Sequence, residues 1–328
     1  MRVLLTGAAG LIGRSGARLL GEGGHEVLAS DLHPMPAGFR SLPWRRLDVR
    51  RREQVRAVLA EHRPEVVVHL AARHFIPWCE RFPAATLATN VVGSQNVIEG
   101  ARQSGVRKLV FASSAAVYGP SPLPLDESCA LGPDDVYGVS KATGEQLMRL
   151  ASQRTEGLDT VVLRLFNTIG PGDPNPHLIP RLVSELSAQG RRLRLGNLRS
   201  VRDYVYVEDV ARAILAAVET ELPGHTTINV GAGAGRSVAE VVEVLEGLLG
   251  RALEVVSSAE RRRAVDRPFL VADRGRARRL LGWEPQVAFE EGLARTLSAG
   301  GVRLADGGAG TVLAGDSAGP PPAELVGV

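Results

Sequence analysis

Tyr137 and Lys141 stand four residues apart in the run Val136–Tyr137–Gly138–Val139–Ser140–Lys141. Four residues is about one helical turn, so both side chains leave the same face of a helix. A phenol with a pKa of about 10 is a poor base near neutrality, and a neighbouring ammonium lowers that pKa by stabilising the phenolate. The spacing therefore predicts an acid–base tyrosine served by a lysine. Composition sharpens the reading. Of 39 basic residues, only Lys108 and Lys141 are lysines. Where arginine is used almost everywhere else, a lysine at position 141 marks a place for a compact ammonium rather than a planar fork. The plain alternative is a surface tyrosine beside a solvated lysine, and the rest of the chain decides between the two.

A second site announces itself at the N-terminus. Gly7–Ala8–Ala9–Gly10–Leu11–Ile12–Gly13 has G-x-x-G-x-x-G spacing, follows an apolar strand and opens a helix. Bare backbone there lets a pyrophosphate approach the helix N-terminus, where free N–H groups and the dipole favour negative charge. Gly7, Ala9, Gly10, Leu11, Ile12 and Gly13 are the expected cofactor contacts. Asp31 ends the next strand, followed by Leu32. A carboxylate there accepts hydrogen bonds from ribose hydroxyls and repels a 2′-phosphate, and no arginine adjoins it in sequence, so NAD is expected over NADP. Asp48–Val49 either holds the adenine ring or simply leads a helix.

These residues need elements to position them. Strands are expected at Val3–Thr6, Glu26–Ser30, Val66–Leu70, Lys108–Ser113 and Thr160–Phe166. Helices are expected at Leu11–Gly21, Glu53–His62 and Val92–Gln103, and one carrying Tyr137 starts near Asp134 or Asp135, either of which can cap it. Alternating strands and helices give βαβ units, so the expected class is α/β, a Rossmann-type doubly wound parallel sheet with a smaller mixed α/β substrate domain. The expected division is 1–166 for the NAD-binding domain and 167–300 for the substrate domain, with some segments returning to the main sheet. Residues 301–328, rich in Gly, Ala and Pro, are read as a disordered tail.

Composition narrows the class of function. The chain has 328 residues, 44% of them hydrophobic, and a net charge of +3. Its basic runs are short, so nucleic acid is not an expected partner. Only Cys79 and Cys129 are present, without metal-ligand spacing. A reducing, cytoplasmic compartment is expected, with no disulfide framework and no metal. No apolar run reaches the ~20 residues of a membrane span, and no signal peptide is recognisable.

The motifs in combination resemble a known family. They are the glycine turn, Asp31, Asp48–Val49, His69–Leu70–Ala71–Ala72, Asn90, Ser113–Ser114–Ala115–Ala116–Val117–Tyr118–Gly119, Tyr137-x-x-x-Lys141, Arg164–Leu165–Phe166–Asn167 and Arg202–Asp203–Tyr204–Val205–Tyr206–Val207. From residue 1 to about 297 the chain resembles an extended short-chain dehydrogenase/reductase of the sugar-nucleotide epimerase/dehydratase type. The resemblance implies NAD as cofactor, a nucleoside-diphosphate sugar as substrate and a homodimer built through two long helices. It makes Ser114, Tyr137 and Lys141 catalytic, with Ser113 the rival of Ser114. It adds Leu70, Ala71, Ala72, Asn90 and Ser113 to the cofactor contacts, beside Tyr137 and Lys141. It gives the substrate Ser114, Asn167, His177, Leu178, Arg202 and Arg263, the two arginines clamping the pyrophosphate.

Three departures from the family pattern bear on the reaction. Ala115 and Ala116 stand where dehydratases carry an acidic pair and decarboxylases a Glu, so elimination and decarboxylation are disfavoured. His74 and His177 replace residues that hexose 4-epimerases use near cofactor and substrate. Leu195–Gly196–Asn197–Leu198 is closer to the GDP-mannose branch and leaves the base open. The expected activity is a nucleotide-sugar 4-epimerase working through a transient 4-keto sugar. The alternatives are a 4-ketoreductase using NAD(P)H and a non-catalytic NAD-binding protein.

Overall fold

The structure is a computed structural model that describes residues 1–36, 42–188, 190–258 and 267–305. In chain order the first elements are β1 (Arg2–Thr6), α1 (Leu11–Glu22), β2 (Glu26–Asp31), β3 (Trp44–Arg46), α2 (Arg52–His62), β4 (Val66–His69), α3 (Ile76–Arg81), α4 (Pro83–Leu87), α5 (Gly93–Gln103), β5 (Lys108–Ser114), α6 (Val136–Arg154) and β6 (Asp159–Leu165). Then come β7 (Asn167–Ile169), α7 (Leu178–Ser187), β8 (Arg192–Leu195), β9 (Val201–Tyr206), α8 (Val207–Glu219), β10 (His225–Val230), β11 (Gly235–Ser237), α9 (Val238–Leu249), β12 (Glu254–Ser257), β13 (Phe269–Leu270), α10 (Gly275–Leu281) and α11 (Phe289–Ala299).

Seven strands form one sheet in the order β10-β6-β5-β4-β1-β2-β3, and every pairing in it is parallel. Its central strands are buried along almost their whole length and carry apolar runs such as Val66–Val68 and Leu109–Ala112, because helices cover both faces. The alternation of side chains divides them. Val3, Leu5, Val66 and Val68 join Ala17 and Leu20 of α1 and Val210 and Ile214 of α8 on one face. Leu4, Val67, Leu109 and Phe111 meet Val55 and Leu59 of α2, Val97 of α5 and Met148 of α6 on the other. The strand order reverses between β1 and β4, and an open α/β sheet binds its ligands at the carboxyl ends of the strands flanking such a switch point.

The expected strands and helices are present, and Asp135 caps α6 through its Oδ1, which accepts from Gly138 N at 2.7 Å. The helix expected from Val92 begins earlier. Pro83 sits at the first helical position of α4, a place where its missing N–H costs nothing. The helix then passes through a π-helical turn at Ala88–Val92 into α5. After residue 166 the chain builds a smaller layer around β9, which pairs with β7, β11 and β13. Its core holds Leu182, Leu193, Tyr204, Leu245 and Leu293. Two later segments return to the main sheet: β10 pairs with β6, and α8 packs on α1. The start of the tail is also corrected. Val302 is buried, and Ala305 N donates to Leu248 O at 2.9 Å, because Val302 and Leu304 pack with the apolar core of the smaller layer. Residues 306–328 lie outside the described ones. Among the described residues no helix is long and apolar enough to cross a membrane.

Candidate active site

The glycine turn follows β1 at the switch point, and its three glycines have different physical reasons. Gly7 has φ 76°, and a Cβ on it would lie 2.6 Å from Ala71 N. On Gly13 a Cβ would lie 2.2 Å from Gly7 O. These two serve the fold. Gly10 is different: a Cβ there meets only Gly7 O, at 3.4 Å. Gly10 also precedes α1, whose N-terminus has no side-chain cap and no acidic residue in its first turn. The first N–H groups of that helix, including those of Leu11, Ile12 and Gly13, are therefore left to an anion. A bare loop in front of an uncapped helix fits a dinucleotide pyrophosphate.

Asp31 ends β2 beside this turn, as expected. Its Oδ2 accepts from Ala9 N at 3.0 Å, and its Oδ1 from His33 N at 3.0 Å and faces His33 Nδ1 at 2.9 Å. The carboxylate thus stiffens the glycine turn. One part of the reading needs correction. Arginine is absent from the sequence neighbourhood of Asp31, yet the β2–β3 pairing sets Arg46 opposite it, with Arg46 Nε donating to Leu32 O at 3.0 Å. Asp48 is tied to Arg50 by three side-chain bonds of 2.9, 3.2 and 2.8 Å, and this contact holds its carboxyl below the usual range. Val49 is buried, and its carbonyl accepts from Asn96 Nδ2 at 2.9 Å.

Opposite the turn, α6 brings Tyr137 and Lys141 to the end of β5. The Lys141 ammonium donates to Ala112 O at 2.7 Å and lies 4.8 Å from the Phe111 ring centroid and 5.9 Å from that of Tyr137. The side chain is 3% exposed. Burial brings its pKa down to about 7, against the opposing pull of Cys79 and Glu145. Burial likewise pushes the Tyr137 phenol above its ordinary value, with the Ser114 hydrogen bond working in the other direction. The expected lowering of the Tyr137 pKa by Lys141 is therefore not produced by the protein's own residues: desolvation outweighs it.

The two serines separate. Ser114 Oγ accepts from Ala116 N at 3.1 Å and hydrogen-bonds Tyr137. Ser113 Oγ, on the other side of the strand, donates to Glu145 Oε1 at 2.5 Å. Its hydroxyl is thus committed away from Tyr137, and the cofactor role given to it has no support in its contacts. Ala115 and Ala116 are buried in the turn after β5.

The loop after β4 carries Leu70, Ala71 and Ala72. Leu70 N donates to Thr6 O at 3.1 Å, which sets this loop against the glycine turn. Asn90, in the π-helical turn, is spent within the protein. Its Oδ1 accepts from Arg73 N at 2.7 Å, and its Nδ2 donates to Arg73 O and to Ser140 Oγ, both at 2.8 Å. It shapes the loop and α6 rather than offering a free amide. Asn167 opens β7 and is exposed. His177 precedes α7 and Leu178 begins it. His177 Nδ1 lies 2.8 Å from Asp173 Oδ2, and its ring lies 5.7 Å from that of His74, which faces Asn175 Nδ2 at 3.0 Å. The donor atoms of His74, Asp173 and His177 all lie within 4.8 Å of one another, a cluster across two loops that sequence spacing did not reveal. Arg202 donates to Val201 O at 2.8 Å and Arg267 O at 2.7 Å. Arg263 lies outside the described residues.

Two residues were missed. Arg267 pairs with Asp134 and donates to Ala116 O at 3.1 Å, tying the smaller layer to the turn after Ser114. Glu145 stands one helical turn beyond Lys141, and only its i, i+4 relation to that lysine could have marked it.

A doubly wound parallel sheet with a pyrophosphate-fitting turn at its switch point, and across from it a half-buried tyrosine over a buried lysine, defines a dinucleotide-dependent enzyme. Comparison with known proteins narrows the class. The sequence pattern of the NAD dependent epimerase/dehydratase family matches residues 3–231. This chain belongs to that family. It is 35% identical to the UDP-glucose 4-epimerase of Streptomyces lividans over 311 residues, 88% of this chain and 92% of that protein. The structure of the UDP-glucose 4-epimerase of Brucella ovis in complex with NAD superposes with a TM-score of 0.85 at 30% identity, covering 93% of this chain and 99% of that one. MoeE5 in complex with UDP-glucuronic acid and NAD gives a TM-score of 0.83 at 31% identity, with 91% and 98% covered.

Proposed function

We infer that this chain is an NAD-dependent nucleoside-diphosphate-sugar 4-epimerase. The observation that carries the reading is the convergence of Ser114, Tyr137 and Lys141 on the end of the sheet where the glycine turn fits a pyrophosphate. When bound, NAD supplies the two-electron oxidation of sugar C4 and its reversal, and a positive ring charge. Tyr137 takes the proton of the 4-hydroxyl and gives it back, Ser114 orients that hydroxyl, and Lys141 holds charge beneath the ring. The 4-keto sugar turns over in the cleft between steps, so one stereocentre inverts and no cofactor is consumed. No carboxylate occupies positions 115 and 116, which disfavours elimination. The relatives named above act on or bind UDP-sugars, and we take the substrate here to be a sugar on a nucleoside diphosphate. Purified protein without added cofactor is incubated with a panel of nucleotide sugars and the products are separated. The expected result is conversion to the C4 epimer with no net change at the NADH band. Stoichiometric NAD(P)H consumption on a 4-keto sugar, without epimerisation, refutes this reading in favour of a ketoreductase.

A homodimer is part of the same proposal. Phe82, Leu87, Val92 and Val139 are exposed at 42%, 39%, 51% and 45%, the first just before α4 and the others on α4, the π-helical turn and α6, and apolar side chains on packed helices favour a partner. Light scattering in solution tests it. Free Cys79 and Cys129 support a reducing, cytoplasmic setting.

A further inference from the structure

Tyr137, Lys141 and Glu145 are spaced i, i+4 and i+8, so they run down one face of α6. Glu145 is 4% exposed, and both of its carboxylate oxygens are hydrogen-bonded. Its Oε1 accepts from Ser113 Oγ at 2.5 Å and from Arg164 Nε at 2.9 Å, and its Oε2 from Arg164 Nη2 at 2.8 Å. Arg164 in turn donates to the Tyr118 hydroxyl at 2.9 Å, and that hydroxyl donates to Asn229 Oδ1 at 2.7 Å. One carboxylate thus joins α6, the end of β5 and β6, directly beneath the Tyr137–Lys141 pair. An apolar core would pack here without a buried ion pair, and such pairs are weak contributors to stability.

We propose that Glu145 is the positioning residue of this site: its carboxylate, oriented by Arg164, supplies the counter-charge for the Lys141 ammonium and fixes Ser113 so that Ser114 faces Tyr137. The groups around the ammonium support this assignment. Tyr137 and Glu145 face it from α6, Cys79 from α3, and His69 and His74 from β4 and the loop after it. The imidazole of His69 is held neutral by burial. Burial raises the Cys79 thiol, so it carries no charge at neutral pH. Burial raises the Tyr137 phenol as well. Glu145, paired with Arg164, is then the one carboxylate among these groups. Lys141 carries one bond to Ala112 O, which steers the ammonium but brings no net negative charge.

This rests on the Tyr137–Lys141 reading, and the test separates the two. Biosynthetic labelling with 13Cε-lysine yields two side-chain signals, since Lys108 and Lys141 are the only lysines. Each is followed by NMR against pH in the full-length protein, independently of activity. In Glu145→Gln the Lys141 midpoint falls by about one pH unit or more, while that of Lys108 stays. The turnover number falls with it, and KM for the nucleotide sugar holds. Glu145→Gln leaves Arg164 buried and unpaired, so a second variant, Glu145→Met with Arg164→Met, removes both charges and keeps the volume apolar. In a folded protein it shows a fall in the Lys141 midpoint of the same sign but smaller, because the Arg164 charge is lost as well. A Lys141 titration unchanged from wild type in either folded variant overturns the proposal, because a structural role alone shifts melting and not that midpoint. If wild type fails to epimerise any sugar, the functional reading falls and the lysine titration still decides this one.

Discussion

Gly10 and Gly13 lie three residues apart in one turn, yet alanine at each has opposite consequences. On Gly13 a Cβ would stand 2.2 Å from Gly7 O, 2.7 Å from Ala8 Cα and 2.9 Å from Ala8 C, all backbone. Backbone cannot swing aside like a side chain, so α1 must move off the turn. Overpacking of this kind costs about 1–3 kcal/mol, which lowers Tm by roughly 1.5–4.5 °C in a chain of this size. Gly10 has φ −71° and ψ 169°, extended backbone that alanine adopts freely. Stiffening the unfolded chain gains about 0.4–1 kcal/mol. Alanine in place of glycine before a helix loses a similar amount, of order 0.5–1 kcal/mol. The two nearly cancel, and the fold should stay within about 1 kcal/mol of wild type. The methyl group, however, projects where a pyrophosphate meets the free N–H groups of α1. Gly10→Ala should therefore keep its Tm and bind NAD at least ~10-fold more weakly, about 1.4 kcal/mol. Calorimetric melting of protein stripped of cofactor, followed by NAD titration, reads both quantities. Unchanged NAD affinity in Gly10→Ala, or equal melting losses in the two variants, refutes the division of labour drawn here.

Tyr137→Phe keeps the ring packing and removes the proton carrier, so turnover should fall by at least ~10²-fold with Tm nearly unchanged; wild-type turnover in this variant would exclude the proposed chemistry. Asp31→Asn removes the charge that repels a 2′-phosphate while Arg46 remains opposite, so paired titrations should show NADP gaining on NAD by about tenfold or more. His69, hydrogen-bonded to Thr6 and Ser94, has its pKa pushed down to about 3 by burial and then by Lys141. The unfolded chain takes up a proton near pH 6.5 that the folded one refuses, so stability falls as pH drops from about 6.5 to 3, by up to about 5 kcal/mol. Asp203, raised by burial to about 6, contributes the opposite slope between about 6 and 4. The difference between wild type and His69→Gln in urea-melt stability across this range is therefore the readout, and parallel curves would count against a neutral buried imidazole.

The sequence by itself determined the class of protein. Local patterns carry that information: a strand, a glycine turn and a helix in succession, and a Tyr–Lys pair at helical spacing, need no distant partner to be read. It also marked Lys141 as a place for a compact ammonium, and the other lysine, Lys108, is equally buried. Only the tertiary structure told them apart. Lys108 donates to Ala217 O, Val218 O and Thr220 O at 3.3, 2.9 and 2.7 Å, closing the C-terminus of α8, whereas Lys141 sits beneath the tyrosine. The carbonyls around Lys108 are more than a hundred residues away in the chain, so no spacing rule could reach them. The same limit applied to Ser113 and Ser114. Alternation sends neighbours to opposite sides of a strand, but which side is the pocket depends on where α6 packs. Arg46 comes to Asp31 through strand pairing, and Glu145 earns a role only because Ser113 and Arg164 converge on it. Residue types and short spacings fix what chemistry is available; which groups meet is decided by how the sheet and its covering helices bring remote segments together.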